Sequence, residues 1–227
     1  MKYEIYGQTM PIVECRLDAG ETIQSQAGAM KYMDADVEMK TGVPGGLGGF
    51  VKRQMMGETG FLNFYTATRA GQRVALGHTY PGKIIAVDVG TMDYVCQKRA
   101  FLASETSVEL DIVFQRRLGA GFFGGEGFIM QSLGGQGIAL LEIDGETVEL
   151  ALGPGETFRV ETGALAFMER SVTFDIERVK GVSNALFGGE GLFLTTLTGP
   201  GKIWLQTMSI HALAREISPF LPTQKRS

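Results

Sequence analysis

The stretch Gly119 to Gly127 reads Gly-Ala-Gly-Phe-Phe-Gly-Gly-Glu-Gly, and the rest of the chain repeats it. A close copy runs from Ala185 to Gly191 as Ala-Leu-Phe-Gly-Gly-Glu-Gly. A more divergent copy runs from Met56 to Gly60 as Met-Gly-Glu-Thr-Gly. Each copy opens an apolar segment that ends near further glycines. The chain therefore reads as three copies of one unit built around a Gly-Glu turn.

A constant spacing supports this repeat. A shift of 64 positions places Glu126 on Glu190 and, well upstream, Ala100 on Ala164. A shift of 68 brings Glu58 onto the second copy, and the region before it needs a shift of 71, so one small gap lies between. The copies consist of short apolar runs separated by glycine turns, which is typical of an all-β fold. One copy alone is too small to bury its apolar face well.

We therefore predict a single all-β domain over residues 1–227. The internal repeats cover roughly 12–80, 83–145 and 147–208, and a short helix and a polar tail occupy 209–227. Three copies of this length are expected to share one core about a pseudo-threefold axis.

Composition narrows the function classes. The chain has 227 residues, 44% of them hydrophobic, and a net charge of −4. A weakly acidic chain lacks the basic footprint of a nucleic-acid binder, so nucleic acid is an unlikely partner. The N-terminus has no secretory or transit pattern, and no window approaches 18 uncharged apolar residues. These features lead us to expect a cytoplasmic protein.

Residues typical of catalysis are sparse. His78 and His211 are far apart and have no Cys or His at metal-ligand spacing. Cys15 and Cys96 are expected to be buried reduced thiols. The Gly119 stretch echoes a dinucleotide-binding loop but lacks the βαβ context. Trp204 alternates with apolar neighbours and is expected to face outward or into a subunit contact. We predict no catalytic residues, no metal and no cofactor.

The triplicated Gly-Glu element, followed by an apolar strand and a Gly-Pro-Gly turn, resembles the mitochondrial-biogenesis family named for altered inheritance of mitochondria. The resemblance covers nearly the whole chain and is to the stand-alone prokaryotic members. It implies a fold like the tryptophan RNA-binding attenuation protein (TRAP), a short double-stranded β-helix that three copies arrange as a β-prism. It implies no enzymatic activity, and fold alone does not carry the RNA-binding function across.

The repeated turns offer one candidate cluster. Glu58, Glu126 and Glu190 would occupy equivalent places about the axis, where three carboxylates could hold a cation. We favour the alternative, in which each carboxylate accepts backbone N–H bonds within its own turn. The anchoring turns are Gly57–Glu58, Gly125–Glu126 and Gly189–Glu190.

The loops before these turns combine apolar and basic residues. The candidate interaction residues are Phe50, Lys52, Arg53, Arg116, Arg117, Phe122, Phe123, Leu186 and Phe187. Such a mixture suits an anionic membrane surface or a protein partner. The alternative, which we favour, is that the apolar side chains plug the end of the barrel or form a subunit contact.

The leading interpretation is a non-enzymatic scaffold or interaction protein, self-associating or membrane-peripheral. The alternative is a small-ligand-binding protein with a pocket between repeats. An unrecognised enzyme ranks last.

If the second loop is an interaction surface, changing Phe122 and Phe123 to Ser should abolish binding to liposomes or to a partner. The melting temperature should stay nearly unchanged, because the side chains would be exposed in the free protein. A large drop in melting temperature would instead place both rings in the core.

Overall fold

A computed structural model describes residues 1–42, 61–77, 79–116, 127–179, 193–217 and 220. Within them the first seven strands are β1 Lys2–Tyr6, β2 Ile12–Leu17, β3 Thr22–Gln26, β4 Met30–Met33, β5 Glu38–Gly42, β6 Leu62–Thr66 and β7 Gln72–Gly77. The next six are β8 Gly82–Asp88, β9 Tyr94–Gln97, β10 Phe101–Glu105, β11 Val108–Arg116, β12 Phe128–Gly135 and β13 Ile138–Asp144. The last six are β14 Thr147–Leu152, β15 Thr157–Glu161, β16 Leu165–Glu169, β17 Thr173–Arg178, β18 Phe193–Thr198 and β19 Gly201–Gln206. Helix α1 covers Ile210–Ile217. The predicted all-β class and the short C-terminal helix are confirmed.

Local sequence explains these strands. The first residues of β11 alternate between buried and exposed, as expected of a strand with one face on the core. β12 is buried over its first six residues, and its apolar run is interrupted by Gln131 and Ser132, which are buried as well. Its end at Gly135 has a positive φ, and an added Cβ would lie 2.4 Å from the Ser107 carbonyl oxygen, so only glycine fits there.

The strands form four open antiparallel sheets. Their strand orders are β1-β2-β7-β4, then β5-β6-β3-β10-β13-β8, then β11-β12-β9-β16-β19-β14, and finally β15-β18-β17. The sheets are called A, B, C and D below, in this order.

One pattern of strand pairing recurs along the chain. In sheet A, β7 lies between β2 and β4, and β13 and β19 take the same central place between β8 and β10 and between β14 and β16. The β4–β7, β10–β13 and β16–β19 pairs also share an irregularity. Their register shifts between Met30 and Tyr32, between Phe101 and Ala103, and between Leu165 and Phe167. We call the strands β2–β7, β8–β13 and β14–β19 the first, second and third strand groups.

Three clusters of buried side chains fill the spaces between sheets. One combines residues of sheets A and B, such as Leu76 and Ile23. Another combines residues of B and C, such as Leu141 and Phe167. The third combines residues of C and D, such as Ile203 and Leu197. Each cluster thus needs side chains from two neighbouring sheets.

The prediction that Trp204 faces outward is wrong. Its side chain is only 9% exposed, stacks on Phe167 with ring centroids 4.3 Å apart, and contacts Tyr94 edge to face. The reason is that sheet C is packed on both faces: Trp204 lies in the cluster between sheets B and C, and Ile203 lies in the cluster between sheets C and D.

Trp204 also forms a hydrogen bond to a titratable residue, Glu149. Its Nε1 donates to Glu149 Oε2 at 3.0 Å, and Lys202 Nζ donates to Glu149 Oε1 at 2.6 Å. The hydrogen bond from Lys202 is the main cause that lowers the pKa of Glu149 below its ordinary 4.5. A carboxylate with a lowered pKa in the folded state contributes its stabilisation above pH 4.5 and loses it as the pH falls through the folded value.

We expect the fluorescence of Trp204 to titrate with a midpoint below pH 4.5 while the far-ultraviolet circular dichroism stays native. Glu149→Gln should remove this titration, because an amide accepts the indole bond without ionising. Lys202→Met should move the midpoint upward. A midpoint that persists in Glu149→Gln would contradict the assignment.

Candidate functional site

Most sequence-predicted site residues lie outside the described part of the chain. These are Phe50, Lys52, Arg53, Gly57, Glu58, Arg117, Phe122, Phe123, Gly125, Glu126, Leu186, Phe187, Gly189 and Glu190. Arg116 is described and ends β11 opposite Phe128. Its Nη1 donates to the Ile176 carbonyl oxygen at 2.5 Å, which ties the end of β11 to β17 of sheet D.

Two strand pairs join the three strand groups. β3 of the first group pairs with β10 of the second, with Ser104 opposite Gln24. β9 of the second group pairs with β16 of the third, with Met168 opposite Val95. We call these the two internal junctions. Each converts two three-stranded halves into one six-stranded sheet.

The corresponding strands at the ends of the series remain unpaired on one side. β4 is the counterpart of β10 and β16 and forms the edge of sheet A. β15 is the counterpart of β3 and β9 and forms the edge of sheet D. Within the described residues, neither strand has a second partner. We call β4 and β15 the open edges. Other end strands, such as β5, β11 and β17, are edges in every group and so belong to the common pattern.

Side chains on the open edges are exposed where their counterparts are buried. Tyr32 is 42% exposed, whereas Phe167, at the same place relative to the register shift in β16, is fully buried. Phe158 is 43% exposed, whereas Ile23, at the corresponding place in β3, is fully buried. The residues at these places inside the paired junctions are thus less exposed than those of the open edges.

The backbone of each open edge presents free hydrogen-bonding groups. The Asp34 N–H donates to Arg73 O across sheet A, and Glu156 O accepts from the Gly199 N–H across sheet D. Because N–H and C=O groups alternate in direction along a strand, those of Met33 and Arg159 point away from their own sheets. An unpaired strand edge of this kind is a template for another strand.

Side-chain bonds hold β4 in place despite its open side. The Tyr32 hydroxyl donates to Glu14 Oε2 at 2.7 Å, and this bond is the main cause that raises the pKa of Tyr32. Arg73 donates to Asp34 through Nη2 at 2.9 Å and through its backbone N–H at 2.9 Å, and its side-chain bond is the main cause of the lowered pKa of Asp34. The edge is therefore ordered before any partner arrives.

A small polar cavity lies where the second and third groups meet. It measures about 20 Å³, room for one water molecule, and its lining includes Gln97, Glu142, Asp144, Gln206 and Ser209. Gln97 is 5% exposed, and its Nε2 has no hydrogen-bond partner among the described residues. A buried amide nitrogen without a partner is costly, so this cavity is the second candidate site.

A larger cavity of about 260 Å³ adjoins it beneath α1 and shares Gln206 and Ser209 with it. Apolar side chains, such as Leu213, line this cavity together with the carboxylates Glu161 and Glu216. The Ser209 hydroxyl accepts from the Ala212 N–H at 3.1 Å and so caps the helix above the cavity. The first turn of α1 thus covers both cavities.

Both cysteines are free and buried, as the sequence predicted. Burial is the main cause that raises the pKa of Cys15 and of Cys96 to about 12. Neither thiol is therefore ionised at neutral pH.

In the described ranges, no group of three or more His, Cys, Asp or Glu side chains could hold a metal ion. The proposed cluster of Glu58, Glu126 and Glu190 lies outside these ranges and stays a prediction. Within the same residues, no helix is both long and apolar enough to cross a membrane.

Sequence reasoning missed the open edges. The alternation of Phe158 and Val160 indicates a strand, whereas the mixed sequence of residues 22–33 gives no separate signal for β4. The repeat spacing aligns β15 with β3 and β4 with β10, but it carries no information on which strands hydrogen-bond to each other.

The architecture defines an all-β protein whose strand groups share antiparallel sheets. The sequence profile of the family described as mitochondrial biogenesis AIM24 matches residues 3–208, and the chain belongs to this family. An uncharacterized protein of Streptococcus pyogenes serotype M6 is 30% identical over 220 residues, which cover 94% of this chain and 88% of that protein.

A crystal structure of a Streptococcus pyogenes protein is similar, with a TM-score of 0.79. The match covers 97% of this chain and 99% of the other at 24% identity, so it shows the fold alone.

The cavity gives a testable contrast between two glutamines. Gln97→Met should leave the free energy of unfolding unchanged or raise it by up to about 1 kcal/mol, because its Nε2 has no partner to lose. Gln206→Met should lower it by roughly 1–2 kcal/mol, because Gln206 Nε2 donates to Gly163 O at 2.8 Å and its Oε1 accepts from the Asp144 N–H at 3.1 Å.

Denaturant unfolding of the two variants measures this contrast. A loss in Gln97→Met as large as that in Gln206→Met would show that a bound molecule or ion satisfies Gln97.

Proposed function

We propose that this chain is a non-enzymatic scaffold that works by adding a further β-strand at its open edges. The observation that carries the proposal is that β4 and β15 are unpaired where both internal junctions are paired. Strand addition supplies affinity through main-chain hydrogen bonds, and it requires an ordered edge with free N–H and C=O groups. The bonds from Tyr32 and Arg73 supply that order on β4.

The proposal includes the finer fold. Three copies of one six-stranded unit, each a short double-stranded β-helix like TRAP, would be arranged about a pseudo-threefold axis, with the place of the third junction left open between β15 and β4. Two features support it: the recurrent pairing of β7, β13 and β19, and the register shift at the same place in each group. The three core clusters, each between two neighbouring sheets, fit the same arrangement.

Location and membrane contact belong to the proposal as well. A cytoplasmic scaffold could also meet an anionic membrane through the three glycine-rich loops. Their sequence supports this, since Phe122, Phe123 and Phe187 lie near basic residues.

A second candidate function is the binding of a small polar ligand between repeats. The unpartnered Gln97 Nε2 favours it, because the cavity lies between the second and third groups. A thermal-shift screen against metabolites and metal ions tests it, and one ligand should raise the midpoint in wild type but not in Gln97→Met.

Strand addition can be tested with a peptide that reproduces the open edge of sheet D. A fluorescein-labelled peptide of residues 155–163 should bind the protein, as judged by fluorescence anisotropy. Met33→Pro should weaken binding by roughly fivefold or more, because it removes an edge N–H worth about 1 kcal/mol.

A matched pair of peptides provides the control. Arg159→Ala keeps the backbone N–H and should bind like the original peptide, whereas Arg159→Pro should not. Trp204 fluorescence checks that Met33→Pro remains folded. Equal binding to wild type and Met33→Pro, or no binding at all, would refute strand addition at β4.

A further inference from the structure

We infer that the two adjoining cavities beneath α1 form one binding site for an amino alcohol, a small molecule that carries an ammonium group and a hydroxyl group on a short hydrocarbon chain. The inference rests on the second candidate function, the binding of a small polar ligand between repeats, and it names the class of ligand. The hydroxyl group enters the small polar cavity at Gln97, and the ammonium group lies in the larger cavity near Glu161 and Glu216.

The small polar cavity needs a group that accepts a hydrogen bond. Gln97 is 5% exposed, and its Nε2 has no hydrogen-bond partner among the described residues. Gln206 does not supply one, because its Oε1 accepts from the Asp144 N–H at 3.1 Å and its Nε2 donates to Gly163 O at 2.8 Å. A ligand atom that accepts from Gln97 would remove the cost of this buried, unpaired N–H group.

A hydroxyl group matches the rest of the lining of this cavity. Its oxygen accepts hydrogen bonds and its proton donates one, whereas an ammonium group only donates. The carboxylates of Glu142 and Asp144 line the cavity and can accept the hydroxyl proton. The volume of about 20 Å³ admits one group of the size of a water molecule. An ammonium group placed here would leave Gln97 Nε2 unsatisfied, so the oxygen end of the ligand belongs in this cavity.

The charge of the lining favours a cation in the larger cavity. Among the described residues, the lining of the two cavities contains four carboxylates and one guanidinium, namely those of Glu142, Asp144, Glu161, Glu216 and Arg99. The charged side chains described in the lining of the larger cavity are both carboxylates, Glu161 and Glu216. An ammonium group in that cavity is attracted by both of them, whereas an acidic ligand would be repelled.

Apolar side chains in the larger cavity favour a hydrocarbon chain over a metal ion. Ala164, Met208, Ala212 and Leu213 line this cavity beside the carboxylates. Hard metal ions prefer a shell of oxygen ligands, and within the described residues no group of three or more His, Cys, Asp or Glu side chains could hold a metal. The volume of about 260 Å³ lies just below the usual range of ligand pockets, so the ligand is small.

Two shared residues join the cavities. Gln206 and Ser209 line both of them. The Ser209 hydroxyl accepts from the Ala212 N–H at 3.1 Å, which fixes the start of α1 above the site. A ligand with one short chain can therefore extend from the larger cavity into the small one.

A series of ligands of increasing length tests the inference. The probes are the linear amino alcohols from ethanolamine to aminohexanol, and each is compared with the alkylamine and the diol of equal length. Binding to the wild-type protein is followed by NMR titration. One amino alcohol should bind about fivefold more tightly than its alkylamine, because it gains the hydrogen bond with Gln97. The matching diol should bind about threefold or more weakly than the amino alcohol, because it carries no charge.

Two variants separate the two ends of the ligand. In Gln97→Met the amino alcohol and the alkylamine should bind equally well. In the double variant Glu161→Gln/Glu216→Gln the amino alcohol and the diol should bind equally well. The control variant Glu109→Gln/Glu177→Gln removes two exposed carboxylates that are outside the lining of both cavities, and it should bind all probes like wild type.

Three results would overturn the inference. Equal binding of amino alcohols and alkylamines to wild type would show that the small polar cavity takes water only. Equal binding of diols and amino alcohols would show that the carboxylates play no part, and a series in which no probe binds would show that the site does not take this class. None of these results decides ligand binding in general, which the thermal-shift screen measures, or strand addition, which the peptide measures.

Discussion

Backbone hydrogen bonds between strands distant in the sequence hold this fold together. Each strand group contributes three strands to one sheet and three to the next. In the first group, for example, β2, β4 and β7 lie in sheet A, whereas β3, β5 and β6 lie in sheet B. A buried polar backbone needs partners, so a half-sheet is stable when its end strand pairs with the next group. The β3–β10 and β9–β16 pairs meet that need for sheets B and C. The same need is unmet at β4 and β15, which makes the open edges a direct consequence of building the chain from a small number of groups.

Strand positions were readable from the sequence because their causes are local. The sequence pattern predicts a strand over Ile12–Leu17, which is β2, and the apolar runs that start at Phe128, Ile138 and Leu192 begin within one residue of β12, β13 and β18. The places where the chain passes from one sheet to the next are harder to predict. The sequence indicates a single segment over residues 95–102, but the 3-10 turn Lys98–Ala100 divides it into strands of two different sheets. The environment of Trp204 also escaped prediction, because alternation cannot show that a strand lies inside a sheet covered on both sides.

The candidate site could be predicted far less well than the fold. Sequence reasoning pointed to the glycine-rich loops, where unusual composition attracts attention. The open edges consist of ordinary strand residues, such as Met33 and Arg159, whose exposure depends on whether two strands from opposite ends of the series meet. That meeting depends on the combined geometry of both internal junctions, and no local pattern encodes it. The unpartnered amide of Gln97 likewise arises from two groups packing together.

Chemistry at the junctions explains why the groups pair in one order. At the first junction Gln24 Nε2 donates to Ser104 Oγ and to Val108 O, both at 3.0 Å, in a buried setting. At the second junction the same two places hold Val95 and Met168, which are apolar. Exchanging partners would bury Gln24 against a methionine and leave its amide with fewer bonds, which is costly. The open edges carry a third combination, Met33 and Arg159, whose charge would be poorly accommodated in either internal junction. The two internal junctions therefore differ in chemistry and discriminate among strands of one backbone design, as specific interfaces do when they penalise the wrong partner.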